Sequence, residues 1–133
     1  MNSEHQFMAL AVNGNLMRGL ARNDNLLRLN AFFLTEARTA PLYKLYSVND
    51  RHPGMIRVSE GGAEIALELW NIPPVGFADI LQNEPDGLSV GKIILSDNSK
   101  CLGVIAEAAL VEGMRDISPF GGWRAYLEGR AKS

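Results

Sequence analysis

Glu84 is the leading candidate for a catalytic residue in this chain. The residues before it predict a helix that stops there, and a helix dipole disfavours an anion at its C-terminal end. Such a carboxylate either faces water or has a functional reason to be there. A partly desolvated one would hold its proton tightly, as a general acid/base near neutral pH requires. Both interpretations of Glu84 stay open at this point.

The segment Asn13-Gly14-Asn15-Leu16 is the second place where chemistry can arise. It follows an apolar run that predicts a strand, and its Asn and Gly residues are typical of a turn. Several backbone N–H groups of such a turn can point into one concavity and bind an anion. A turn without a ligand is the alternative.

The other polar residues are weaker candidates for a functional role. His52 falls in a predicted turn without a partner at metal-ligand spacing, and His5 lies near the terminus, so we expect no metal and no other cofactor. Arg57 and Arg124 can each clamp a carboxylate, with an ion pair as the alternative, and Arg57 is retained as a substrate-binding candidate. Cys101 lies in an apolar run and is expected to be a structural thiol.

These candidates must be positioned by short apolar segments that Gly, Pro, Asn and Asp interrupt. The pattern predicts strands over residues 7–12, 31–39, 42–48, 64–69, 90–95 and 101–105, of which the last two form a hairpin. It predicts helices from Pro73-Pro74 to Glu84 and over 107–113, and a weak, partly irregular helical segment over 16–29. His52-Pro53-Gly54 is expected to be a turn.

The segment 64–69 alternates in the manner of a half-buried strand. This alternation predicts Ile65, Leu67 and Leu69 on the buried face, with Glu64, Ala66 and Glu68 on the polar face. Antiparallel pairing into a strongly curved sheet is the economical way to bury this many short strands in a small chain.

The 133 residues fit one domain, residues 1–133, that can bury its own core. Thirteen Lys and Arg against fifteen Asp and Glu, without blocks of like charge, argue against nucleic acid and membrane surfaces as partners. The beginning of the chain has no signal-peptide pattern, so we expect a cytoplasmic protein.

The end of the chain, Ile117–Leu127, combines Gly121-Gly122 with aromatic residues in an order that no generic helix needs. A terminal helix with an aromatic anchor accounts for the apolar area, and it predicts that Trp123 is buried against the sheet. The order itself resembles the end of the C-terminal domain of allophanate hydrolases, whose fold is related to that of the gamma-glutamylcyclotransferases. Similar stretches are Tyr43–Tyr46, Arg51–Arg57 and Ala63–Trp70, so the resemblance covers most of the chain from Val12 to Leu127.

The resemblance implies an α+β fold with a small mixed, mainly antiparallel barrel-like sheet and a few helices. Gamma-glutamylcyclotransferase-like proteins carry a Tyr-Gly-Ser/Thr-Leu loop that helps to hold the substrate, and this chain matches it at Gly14 and Leu16. In the same families a catalytic glutamate ends a helix four residues beyond a leucine, and Ile80 with Glu84 reproduces that spacing. Leu81 and Pro85 replace the Asp and Gly that normally surround this glutamate.

One position departs from the allophanate hydrolase domain in a way that matters for its chemistry. Many of those domains have a histidine, considered catalytic for decarboxylation, where this chain has Asn15. An amide can donate and accept hydrogen bonds, but it cannot shuttle a proton near neutral pH. The resemblance therefore implies a substrate-binding role for Asn13, Gly14, Asn15 and Leu16 without implying decarboxylation.

Two functions follow, both within nitrogen metabolism. The first is a small metal-independent enzyme acting on a carboxylate-bearing amide, ureido or gamma-glutamyl-like molecule, with the Gly14 loop binding the anion and Glu84 moving the proton. The second is a non-catalytic ligand-binding or accessory module that partners an amidase, since the sequence has no Ser-rich amidase signature of its own. A homodimer also stays open.

Overall fold

The computed structural model describes residues 8–131. The strands are β1 (Met8–Val12), β2 (Phe32–Arg38), β3 (Tyr43–Val48), β4 (His52–Arg57), β5 (Ala66–Ile72), β6 (Leu88–Ile94), β7 (Lys100–Ala106) and β8 (Arg115–Asp116). The α-helices are α1 (Asp24–Leu27), α2 (Pro74–Asn83), α3 (Ala108–Val111) and α4 (Trp123–Ala131), with a 3-10 helix over Ser118–Phe120.

The strands form two sheets that curve around one core. The larger sheet has the order β2-β5-β1-β7-β6, in which only β1 and β7 pair in parallel, and the smaller sheet has the antiparallel order β4-β3-β8. A bridge between Thr39 and Leu95, just beyond β2 and β6, joins the two outer strands of the larger sheet. The predicted α+β fold with a mainly antiparallel, barrel-like sheet is confirmed.

The strand and helix that carry the candidate residues form where the sequence predicts them. β1 runs to Val12 and is followed by the turn, while Phe7 lies outside the described residues. Pro73 caps α2 and Pro74 opens it, because proline needs no hydrogen-bond acceptor in the first turn. The β6–β7 hairpin is also confirmed.

The prediction of a turn at His52-Pro53-Gly54 is wrong, because these residues begin β4. The chain instead reverses at Asn49 and Asp50, whose φ angles are 53° and 59°. The Arg51 N–H donates to the Val48 carbonyl at 3.0 Å, and positive φ at both central residues is the pattern of a type I′ hairpin turn. Since β4 is an edge strand, Pro53 can be accommodated without a missing ladder bond.

The helices are short, and none of those in residues 8–131 has the length and apolar character needed to span a bilayer. In the segment 16–29 only Asp24–Leu27 is α-helical, so the irregularity expected there is confirmed. Asn23 and Asp24 stand at the start of this helix, where such residues are favoured.

Trp123 begins α4 and anchors it against the barrel. Its side chain is 1% exposed, which confirms the predicted burial. The Tyr126 ring lies 5.6 Å from the Trp123 ring, and the Tyr126 hydroxyl donates to the Asp50 carboxylate at 2.6 Å. The end of the chain is therefore fixed both to the core and to the β3–β4 turn.

Candidate functional site

A narrow pocket opens where β1 ends. It measures about 20 Å³, room for about one water-sized group. Glu84 and four of the predicted substrate-binding residues, Asn13, Gly14, Asn15 and Leu16, contribute to its wall. The remaining lining residues are Val12, Arg22, His52, Pro53, Pro85, Leu88 and Val104.

Arg57, the fifth predicted substrate-binding residue, is not part of this pocket. His52 at the start of β4 lines the pocket, but Arg57 lies at the other end of the strand and is exposed. Five residues of extended chain separate the two by about 17 Å. The shared strand therefore brings His52, rather than Arg57, to the site.

Glu84 follows the last residue of α2, and its backbone N–H donates to the Ile80 carbonyl at 3.0 Å. The side chain is half-buried, and no donor within the described part of the chain forms a hydrogen bond with its carboxylate. Burial raises the pKa of Glu84, and the nearby positive charge of Arg22 offsets part of that rise. A raised pKa is the direction of shift that acid/base chemistry by a carboxyl group near neutral pH requires.

Arg22 reaches the same wall from the irregular segment after the turn. Its backbone N–H donates to the Asn15 carbonyl at 2.9 Å, and its Nη2 donates to the carbonyl of Asn83, the residue before Glu84. Its Nε is buried and has no acceptor in residues 8–131. Sequence reasoning missed Arg22 because no local spacing connects residue 22 with residue 84.

The two asparagine side chains of the turn hold the structure together. Asn13 donates to the Val104 carbonyl at 2.9 Å, which ties the turn to β7. Asn15 donates to the Arg51 carbonyl at 2.8 Å and accepts from Trp123 Nε1 at 2.9 Å. Asn15 therefore connects the pocket with the aromatic end of the chain.

Gly14 is required by the close approach of Pro53. A Cβ atom at Gly14 would lie 2.7 Å from Pro53 Cδ and 2.9 Å from Cγ, well inside contact distance. The proline ring is part of β4 and cannot move aside as a flexible side chain would. Glycine at this position therefore allows β4 to close one side of the pocket.

We expect Gly14→Ala to lower the free energy of unfolding by about 1–3 kcal/mol, the usual cost of overpacking a fixed site. Urea denaturation of the purified variant measures the loss. Gly129→Ala is the matched control, because a Cβ there would lie 3.3 Å from the nearest atom, in the Phe120 ring, and alanine favours the helix. Equal stability of the two variants would show that Pro53 yields to the added methyl group.

A wider groove, about 520 Å³, lies between β2, β5 and the start of α4. It contains none of the residues that the sequence predicted as catalytic or substrate-binding. Its wall includes Glu68, Arg38 and Arg124, together with the Gly121-Gly122 pair. This groove is separate from the pocket beside the Gly14 turn.

Glu68 is buried at 2% exposure, so its predicted position on a polar face is wrong. It receives hydrogen bonds at 2.9–3.1 Å from the Arg18 backbone, the Arg18 side chain, Trp70 Nε1 and Arg124 Nη2. Burial opposes ionisation, but the bonds from Arg18 and Trp70 and the charge of Arg18 outweigh it and lower the pKa of Glu68. The interaction with Arg124 confirms the ion-pair interpretation of that residue.

The sequence pattern of the allophanate hydrolase C-terminal domain family matches residues 8–128 of this chain. The chain belongs to this family. The match includes the Gly14 turn, Glu84, Glu68 and the aromatic end, so the whole described barrel is the family's domain.

Similar proteins include one of comparable length and several much larger ones. A uropathogenic E. coli-specific protein is 50% identical with a TM-score of 0.91, over 92% of this chain and 97% of that one. Kluyveromyces lactis allophanate hydrolase is 30% identical with a TM-score of 0.88, over 93% of this chain and 21% of that one. Urea amidolyase of Saccharomyces cerevisiae is 30% identical over 126 residues, 90% of this chain, which spans only 7% of that protein.

A more distant similarity concerns the fold alone. A mouse aig2-like protein has a TM-score of 0.61 over 77% of this chain, at 16% identity. The mixed α and β architecture is thus shared with a protein of low sequence identity.

Proposed function

We propose that the chain is a small metal-independent enzyme acting on a carboxylate-bearing amide, ureido or gamma-glutamyl-like molecule. The observation that carries the proposal is that Glu84, a carboxyl group with a pKa raised by burial, lines the same pocket as the Gly14 turn. A proton carrier and a candidate anion-binding turn therefore share one enclosed space.

In this proposal the turn binds the substrate through its backbone. No acceptor in the described chain takes a hydrogen bond from the N–H groups of Gly14, Asn15 and Leu16. Consecutive free amides of this kind are suited to an anion or a developing negative charge. The Asn15 side chain is already used by Arg51 and Trp123, which supports a positioning role for it.

Glu84 acts as the general acid/base in the proposed mechanism. The narrow pocket admits one polar group, so the reacting head of the substrate enters and the rest of the molecule stays at the mouth beside Pro53 and Pro85. Enclosure keeps water away from the proton transfer and strengthens each electrostatic contact.

A second candidate is an accessory module that associates with an amidase. It is favoured by the relatives that contain this domain as a small part of an allophanate hydrolase or a urea amidolyase. In that case the pocket binds a small ligand without turning it over.

The two functions are separated by a turnover assay. The protein is incubated with a panel of carboxylate-bearing amides, ureido acids and gamma-glutamyl amides, and product formation is followed by NMR. We expect the consumption of at least one class of compound. Binding of a panel member without any turnover, together with co-purification with an amidase, would favour the accessory module.

A further inference from the structure

Arg22 is held beside Glu84 by the backbone rather than by a direct ion pair. Its Nη2 donates to the carbonyl of Asn83, which fixes the guanidinium next to the residue that follows. The charge of Arg22 acts on Glu84, yet the two side chains do not form an ion pair. Each group therefore keeps hydrogen-bonding capacity for a third partner.

The capacity that remains includes a buried donor of Arg22 and the carboxylate acceptor of Glu84. The Nε–H of Arg22 is buried without an acceptor in the described chain, and a buried donor left unpaired is costly. The Glu84 carboxylate likewise has no donor among residues 8–131. Arg22 and Glu84 both line a pocket that has room for one polar group.

An amide or ureido group carries the complementary pair, a C=O acceptor and an adjacent N–H donor. We propose that Arg22 is a specificity-determining residue, whose Nε–H donates to the carbonyl oxygen of the substrate's amide or ureido group while Glu84 accepts the N–H of that group. This assignment rests on the proposed function, since it concerns the same pocket. It implies that esters and tertiary amides, which lack the N–H, are excluded.

A pair of small lactams tests the assignment without a variant. 2-Pyrrolidinone presents C=O and N–H on one edge, and N-methyl-2-pyrrolidinone presents only the C=O. We expect the protein to bind 2-pyrrolidinone about tenfold more tightly than N-methyl-2-pyrrolidinone, because only the former satisfies both groups. Backbone amide shifts of Gly14, Asn15 and Leu16 in ¹H–¹⁵N NMR spectra report the binding. Equal affinity for the two lactams, or no binding of either, would overturn the proposal.

Arg22→Lys then assigns the effect to Arg22. Lysine keeps the positive charge but lacks the Nε–H, so we expect the variant to lose most of the affinity for 2-pyrrolidinone and with it most of the selectivity. Arg28→Lys is the matched control, because Arg28 is exposed, forms hydrogen bonds to Asp24 and Asn25 on its own helix segment, and does not line the pocket. Thermal unfolding of both variants shows whether the fold is kept.

The outcomes also separate this inference from the proposed function. Retained lactam selectivity in Arg22→Lys would remove the role of Arg22 and leave the enzyme proposal intact. Selective lactam binding without turnover of any panel compound would support the role of Arg22 and count against catalysis.

Discussion

Glu84→Gln is expected to lower turnover by about 10²–10⁴-fold while ligand affinity changes little. Glutamine keeps the size of the side chain and can still accept a hydrogen bond, but it cannot exchange a proton. The loss should therefore appear in kcat rather than in KM. Steady-state kinetics with whichever panel compound is turned over measure it.

The stability of this variant distinguishes lost chemistry from lost folding. Because burial raises the pKa of Glu84, ionisation of Glu84 in the folded protein lowers stability as pH rises from the unfolded value, near 4.5, through the folded pKa. Above that pH range the buried, charged carboxylate lowers the free energy of unfolding. Glu84→Gln should therefore be at least as stable as the wild type. Urea denaturation at neutral pH tests this directly.

Glu64→Gln serves as the control for the same chemical change, since Glu64 is exposed and lies outside the pocket. We expect its turnover to equal that of the wild type. Unchanged turnover in Glu84→Gln would move the proton-transfer role to another residue of the pocket, of which His52 is the titratable candidate.

The sequence predicts well where local signals decide the structure. The apolar run before Asn13 predicts β1 and its turn, and Pro73-Pro74 predicts the start of α2, so that Glu84 falls at the end of a helix. Local signals do not predict that Glu84 lies close to the turn, because this requires two distant segments to meet across the barrel. Family resemblance, rather than periodicity, indicated that these segments share a site.

The sequence predicts poorly where distant contacts override a local signal. Pro53-Gly54 is a strong turn pattern, but the type I′ turn at Asn49-Asp50 reverses the chain earlier and leaves the proline in an edge strand. Arg22 looks like one more polar residue in an irregular segment. Its role in the pocket depends on the Asn83 carbonyl and on Glu84, about 60 residues away along the chain. No local sequence pattern encodes contacts at that separation.

Glu68 is the clearest example of a local signal that distant contacts override. Alternation predicts an exposed carboxylate, but Arg18 and Arg124 arrive from other parts of the chain to pair with it. Charged donors and the Trp70 indole satisfy the buried group, as a buried charge requires. Glu68 therefore joins the segment after β1, strand β5 and helix α4.

Glu68→Ala should lower the free energy of unfolding by about 3 kcal/mol. Breaking a buried ion pair costs about 3–5 kcal/mol, and the low end applies because Arg18 and Arg124 are partly exposed and can turn toward water. Urea denaturation at neutral pH measures the loss. A value below about 1 kcal/mol would mean that the network is worth no more than a surface salt bridge.

Acid titration of stability identifies the charge of Glu68 as the cause. Because its folded pKa is lowered, Glu68 contributes stability above its unfolded value near 4.5, and this contribution is lost as pH falls through the folded pKa. Asp50, Asp97 and Asp116 also have lowered pKa values, so the wild type loses stability in acid for several reasons. The difference between the wild type and Glu68→Gln isolates Glu68, and it should shrink as pH falls below about 4.5. A difference that stays constant with pH would assign the effect to packing rather than to charge.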